Sequence, residues 1–243
     1  MNKLSFDQHI SRQYNTDLED LRTELLEMGG LVQEQVRDGI LAISNADADI
    51  ARRVIDVEDE VDDRELALDE HCTSILARRQ PAASDLRMVL AVSKITRDLE
   101  RMGDEACKVA KMTVALVEDG GNAQGYVELR HLGQSVLHMV DEMLNAFARL
   151  DVEGAMAVAR EDKQVDREYK SATRELITFM MEDPRSIGRV MNVMWALRAI
   201  ERIGDHARNI SEHIIYLVKG LDVRHTSVSE MERQISESDQ QQP

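Results

Sequence analysis

The chain has 243 residues, with 30 Lys and Arg against 46 Asp and Glu, a formal net charge of −16. So acidic a surface is repelled by phosphate backbones and anionic lipids, which argues against nucleic-acid binding and against direct membrane attachment. Aromatics are only 3% and the chain holds 12 Gly and 3 Pro, which speaks against an all-β fold and for long helices with a core of Leu, Ile, Val, Ala and Met.

Leu18, Leu21, Leu25, Met28, Val32 and Val36 recur at three- and four-residue steps and predict a long amphipathic helix over 17–43. Gly29 and Gly30 interrupt it, at a close approach or a kink. Asn45 and Asp47 are cap residues for a second helix over 47–79, carrying Ile50, Val54, Val57, Val61, Leu68 and Ile75. Pro81 ends it, and Ser84-Asp85 caps a third helix that runs through Leu99 and Met102 to Val117. Gly120-Gly121-Asn122 through Gly125 reads as a linker. Three further helices are predicted over 126–149, from Asp151 to Asp183-Pro184, and over 186–218. From Thr226 onward the chain is rich in Ser, Glu and Gln and reads as a frayed tail.

The second half repeats the first. Glu100-Arg-Met-Gly-Asp-Glu-Ala106 aligns with Glu201-Arg-Ile-Gly-Asp-His-Ala207, an offset of 101 from Glu100 to Glu201. Arg97 aligns with Arg198 in the same register, Glu58 through Asp62 with Asp162 through Asp166, and Pro81 with Pro184. The expected fold is therefore all-α, two three-helix bundles in tandem over 1–119 and 126–225, joined by a Gly-rich linker at 120–125 and followed by a disordered tail at 226–243.

Four acid pairs share a four-residue spacing: Glu58/Asp62, Glu100/Asp104, Asp162/Asp166 and Glu201/Asp205. Each pair lies on one helix face, where like charges repel unless neutralised. Carboxylate oxygens in such a set suit Mg²⁺, Ca²⁺, Mn²⁺ or iron. A salt-bridged face is the alternative, because Arg97 and Arg101 precede Glu100 and Asp104 by three residues and Arg198 and Arg202 do the same in the second half. Gly103 and Gly204, between the acids in both copies, mark a close approach by a neighbouring helix or a bound group.

A carboxylate-bridged metalloenzyme of a helical bundle is the enzyme reading. It needs Glu-x-x-His on two helices, and the chain offers one, Glu128/His131. His71, His138, His206 and His213 read as surface or half-buried residues, with Asp205-His206 offering one nitrogen ligand. No phosphate loop, nucleophile motif or zinc spacing is present, so no catalytic residue is assigned. Met139, Met143, Met180, Met181, Met191 and Met194 read first as core filling and second as an adaptable surface. Cys72 and Cys107 read as small buried hydrophobes, and the acid-rich first 25 residues do not read as a signal peptide, which makes a cytoplasmic protein the expectation.

Several stretches together resemble the PhoU family of phosphate-signalling accessory proteins. They are Met28-Gly-Gly-Leu-Val, Arg79 through Arg87, Leu99 through Asp104, Arg160 through Asp166, Met180 through Asp183, Ile200 through Asp205 and Tyr216 through His225. The resemblance implies two three-helix bundles, a cytoplasmic homodimer, and no catalytic activity. It also implies a negative regulator of the phosphate-starvation regulon that bridges a sensor histidine kinase and the ATPase subunit of the phosphate transporter, restrains phosphate uptake, and meets the membrane only through those partners. Metal clusters at Glu/Asp-x-x-x-Asp motifs are a family trait. Carried over, the ligands are Glu100, Asp104, Glu201, Asp205, Asp162, Asp166, Glu58 and Asp62, with iron, manganese, magnesium or zinc as the metal.

Overall fold

A computed structural model describes residues 12–121 and 127–241. Among the described residues the elements are all helical. They are α1 (Arg12–Asn45), α2 (Ala48–Asp56), α3 (Glu58–Arg79), α4 (Ala83–Glu118), α5 (Val127–Arg149), α6 (Val152–Glu182), α7 (Ile187–Lys219) and α8 (Val228–Gln241), with a 3₁₀ turn at Pro184–Ser186 before α7. Helices α1, α2–α3 and α4 make one three-helix bundle, and α5, α6 and α7 make the second. The expected linker lies at 120–125, of which Gly120 and Gly121 are described and Asn122 through Gly125 fall outside the described residues.

The periodic residues form the core as expected. Leu18, Leu21, Leu25, Met28, Val32 and Val36 are all buried along one side of α1. Burying each contributes roughly 1.5–3 kcal/mol, so the stripe, rather than helix propensity, anchors α1. Met139 and Met143 are core residues, whereas Met181 is exposed. Both cysteines are buried, and burial pushes each thiol up to about 12, so neither is a ready nucleophile.

Two caps behave as expected. Asp47 accepts from the backbone N–H groups of Asp49 and Ile50, and Asp151 from that of Glu153. The single helix expected over 47–79 is instead two, broken at Val57. Glu58, Asp59 and Glu60 occupy the first turn of α3, where their charges are favoured by the helix dipole. Helix α4 begins one residue before Ser84, after Ala82, which makes no side-chain cap.

The expected disordered tail is also corrected. Residues 228–241 form α8, because Val228, Met231 and Ile235 fall on one face at helical spacing and pack on the body of the protein. The Arg160 guanidinium donates to Glu232 at 2.8 Å, tying α8 to α6.

The bundles dock through α4 against α7, the most extensive helix pairing in the molecule, with α1 crossing α5. Gly29 permits that second crossing: a Cβ there would stand 2.6 Å from Leu144 Cδ2. Close packing accounts for Gly29, whereas a Cβ on Gly30 would meet nothing within 4 Å; α1 runs as one helix through both. No described helix is long and apolar enough to cross a membrane.

Candidate functional site

The fold gathers the four acid pairs into two clusters, one per bundle. On α3, Asp62 is pushed upward by burial first, then by Glu58 beside it and by Asp104 across on α4. Glu100 on α4 is raised by burial and then by Asp104, Glu65 and Asp62. In the second bundle, Asp205 on α7 is raised by burial, then by Asp162 and Asp166 on α6. Glu201 is pushed up to about 7 by burial, Asp205 and Asp166, against the pull of Arg198. Glu65 joins the first cluster and had no place in the repeat, because its spacing from Glu58 and Asp62 matches no acid in the second half.

The clusters differ in how far cations neutralise them. In the first, Lys111 stands 3.4 Å from Glu58 and Lys108 4.0 Å from Asp104, and both are thinly held surface pairs. Asp62 and Glu100 enter no ion pair among the described residues. In the second, Arg208 donates to Asp162 at 2.8 Å, Arg198 to Glu201 at 2.5 Å, and Lys170 stands 3.7 Å from Asp166. The pairing predicted from spacing thus holds for Arg198 only. Arg202 reaches instead across to Glu105 on α4, at 3.0 Å.

Among the described residues no three His, Cys, Asp or Glu side chains are arranged to hold a metal ion. The all-oxygen donor set nonetheless matches what a hard divalent cation takes, and the first cluster, with Asp62 and Glu100 in no ion pair among the described residues, is the less compensated of the two. The glycines between the acids serve packing. A Cβ on Gly103 would stand 2.9 Å from Gln35 Oε1 and 3.4 Å from Val61 Cγ1, and one on Gly204 3.4 Å from Val165 and 3.5 Å from Val136. The two sets of neighbours are themselves repeat-related at an offset of 104: Val61 corresponds to Val165, and Gln35 to Met139, whose Sδ lies 3.8 Å from the Gly204 Cβ position.

Two of the histidines expected to be at the surface or half-buried are buried. His206 and His213 on α7 surround Asp98 of α4: His206 Nδ1 lies 2.9 Å and His213 Nε2 3.6 Å from its carboxylate, and Asn209 donates to it at 3.3 Å. Burial alone would raise the Asp98 pKa; the hydrogen bonds from both histidines and Asn209 outweigh it and hold the carboxyl at about 2. Sequence reading missed Asp98 because its repeat-equivalent is Ala199. His71 pairs with Glu24 at 2.8 Å, and His138 stands 3.8 Å from Glu161. Glu128 and His131 line a small hollow with Glu168 and Ser171. No second Glu-x-x-His faces them, which leaves the di-iron arrangement incomplete.

A family model described as "PhoU domain" matches residues 25–113 and again 129–214, one match per bundle. A phosphate-specific transport system accessory protein PhoU homolog of Pseudomonas aeruginosa is 55% identical over 235 residues, covering 97% of each chain. The accessory protein PhoU of Escherichia coli K12 is 44% identical over 240 residues, covering 98% of this chain and 99% of its own. The crystal structure of PhoU from Pseudomonas aeruginosa superposes with a TM-score of 0.84 at 56% identity, over 86% of this chain and all of that one. That of the phosphate transport system regulatory protein PhoU from Streptococcus pneumoniae gives 0.79 at 30% identity, over 86% of this chain and 98% of its own.

Proposed function

The chain belongs to the PhoU family, and we propose that it serves as an accessory protein of phosphate transport, a cytoplasmic regulator that represses phosphate-starvation genes when phosphate is plentiful. In this reading it acts as a homodimeric adaptor between the transporter's ATPase subunit and a sensor histidine kinase, favouring the kinase conformation that removes phosphate from its response regulator. The observation that carries the reading is the double match of one domain to both bundles, at high identity along nearly the whole chain.

The physical character of the molecule agrees with an adaptor. Its elements are long helices with continuous buried stripes, which make a stiff body for presenting surfaces. Its charge of −16 favours basic patches on partner proteins. The two carboxylate clusters would hold divalent metal through Glu58, Asp62, Glu100 and Asp104 in the first bundle, and Asp162, Asp166, Glu201 and Asp205 in the second. Metal bound there would supply the positive charge that relieves their mutual repulsion and would link neighbouring helices. Such sites would stiffen the faces a partner contacts, and they need no catalytic step.

The test is a phosphate-starvation reporter in cells lacking the protein, grown in high phosphate. Wild type and Glu100→Gln/Asp104→Asn/Glu201→Gln/Asp205→Asn are expressed to equal levels and compared. Wild type is expected to silence the reporter, and the variant to leave it on. A reporter that stays silent without the protein refutes the regulator. Silencing by the variant refutes the working role of the acids alone.

A further inference from the structure

A cavity of about 590 Å³ lies between α4 and α7, where the two bundles meet. That size is typical of small-molecule sites. Its wall carries five Lys and Arg against three acids, in a chain whose net charge is −16. Lys94, Arg97 and Arg101 come from one face of α4 and Arg208 from α7.

Two of the three acids on the wall are already engaged. Asp98 is held by His206, His213 and Asn209, and Glu212 accepts from Arg208 at 3.3 Å. The third, Asp205, belongs to the second acid cluster, beside Asp162 and Asp166 of α6. Arg224 is spoken for by Asp222 at 2.5 Å. By contrast, Arg97 and Arg101 make no hydrogen bond or ion pair among the described residues; Glu65 and Glu100 act on them only through space. Lys94 rests over the Tyr216 ring, 5.4 Å from its centroid.

The repeat supplies an internal comparison. Arg97 and Arg101 correspond to Arg198 and Arg202, each 101 residues on. Arg198 is neutralised by Glu201 and Arg202 by Glu105. On the cavity side the residue equivalent to Glu105 is His206, whose ring nitrogen is turned to Asp98. The same pair of arginines is thus ion-paired in one bundle and left free, beside a cavity, in the other.

We propose that this cavity binds a condensed phosphate, an anion with two or more linked phosphoryl groups. Arginine forks match phosphoryl oxygens bidentately. Arg97 and Arg101 lie one turn apart, with Cβ atoms about 5–6 Å from each other, and Lys94 to Arg101 spans about 10 Å of helix. That row suits a chain of phosphoryl groups better than a single orthophosphate. The site does not rest on the adaptor reading; it shares Asp205 and Arg208 with the second acid cluster, which is why binding is measured without metal. Inorganic polyphosphate and the phosphate tail of a nucleotide share the chemistry.

Equilibrium dialysis of the full chain in metal-free buffer tests it, with tripolyphosphate, ATP and orthophosphate as probes. Tripolyphosphate or ATP is expected to bind at least about tenfold tighter than orthophosphate, and Arg97→Gln/Arg101→Gln to weaken that binding by about tenfold or more. Arg202→Gln, on the paired side, should bind as wild type does. Tighter binding of ATP than of tripolyphosphate assigns the nucleotide as the source, and equal binding assigns the inorganic chain. If the double variant fails to fold by circular dichroism, Lys94→Gln carries the same expectation of weakened binding. Absence of binding at about 1 mM, orthophosphate binding as tightly, or binding unaffected by the folded Arg97/Arg101 or Lys94 variant overturns the proposal.

Discussion

Replacing Asp98 by Asn should loosen the seam between the two bundles. The side chain keeps its shape but loses the charge that His206, His213 and Asn209 address from α7. The carboxyl sits at about 2 in the folded chain, against an ordinary 3.8. At about 1.36 kcal/mol per pH unit, that gap corresponds to about 2–3 kcal/mol of stability. The group is buried, so solvent screening takes little of it. Because the folded pKa is the lower one, the contribution is fully present above about pH 4 and is lost as pH falls toward 2. Asp98→Asn should therefore lower the melting temperature at neutral pH by about 4–12 °C for a chain of this size, and the deficit should persist at about pH 5. Melting by circular dichroism at fixed protein concentration measures it, because any self-association would make the midpoint concentration-dependent. The decisive arm is the double variant with His206→Gln. If the pair acts as a unit, the two losses should fall short of adding by about 1 kcal/mol or more. A change in melting temperature under about 1 °C, or strictly additive losses, refutes the seam.

Two further outcomes follow from the acid clusters and their glycines. Glu201 titrates at about 7 against an ordinary 4.5, so the folded chain binds the proton more tightly and stability falls as pH rises between those values. Glu201→Gln should then gain about 1–3 kcal/mol over wild type near pH 8 and nothing near pH 4.5 in metal-free urea titrations; a gain independent of pH would show that charge is not its cause. Gly204→Ala should raise the melting temperature, because its Cβ meets Val165 and Val136 at ordinary distances of 3.4 and 3.5 Å while helix propensity improves by about 1 kcal/mol. Gly103→Ala should lower it, because its Cβ lands 2.9 Å from the buried Gln35 Oε1, whose amide is anchored to the Val54 carbonyl and for which overpacking costs about 1–3 kcal/mol. Shifts of the same sign in both variants contradict this account.

The helices and their partition into bundles were legible because burial follows a 3.6-residue period, and Leu18 through Val36 show it without a gap. The pairing of acid clusters was half legible. Four-residue spacing placed Glu58 with Asp62 and Glu100 with Asp104, but only the packing of α3 on α4 brings the two pairs together. Helix α8 escaped because three apolar residues among many polar ones suffice when a ready surface receives them, and composition averages over that stripe. The break at Val57 escaped for a related reason: the apolar period continues through it, and only the charge of the next turn signals a new helix start.

The seam between bundles was illegible for a different cause. Repetition was the strongest signal in the sequence, and it directs attention to positions where the halves agree. Agreement identifies what each bundle needs for its own fold, such as Gly103 with Gly204 or Val61 with Val165. Contacts between bundles need complementary residues, and complementarity at equivalent positions requires that the halves differ. Asp98 faces His206 because position 199 is Ala and position 105 is Glu. The same exchange of Glu for His gives Arg202 its partner in Glu105 and provides Arg101 with none. One substitution between the repeats thus bears on two features: the buried Asp98–His206 contact across the seam and the row of free cations beside it. Restoring the symmetry with His206→Glu should weaken both, placing a carboxylate against Asp98 and adding a negative charge at the repeat-equivalent of Arg202's partner.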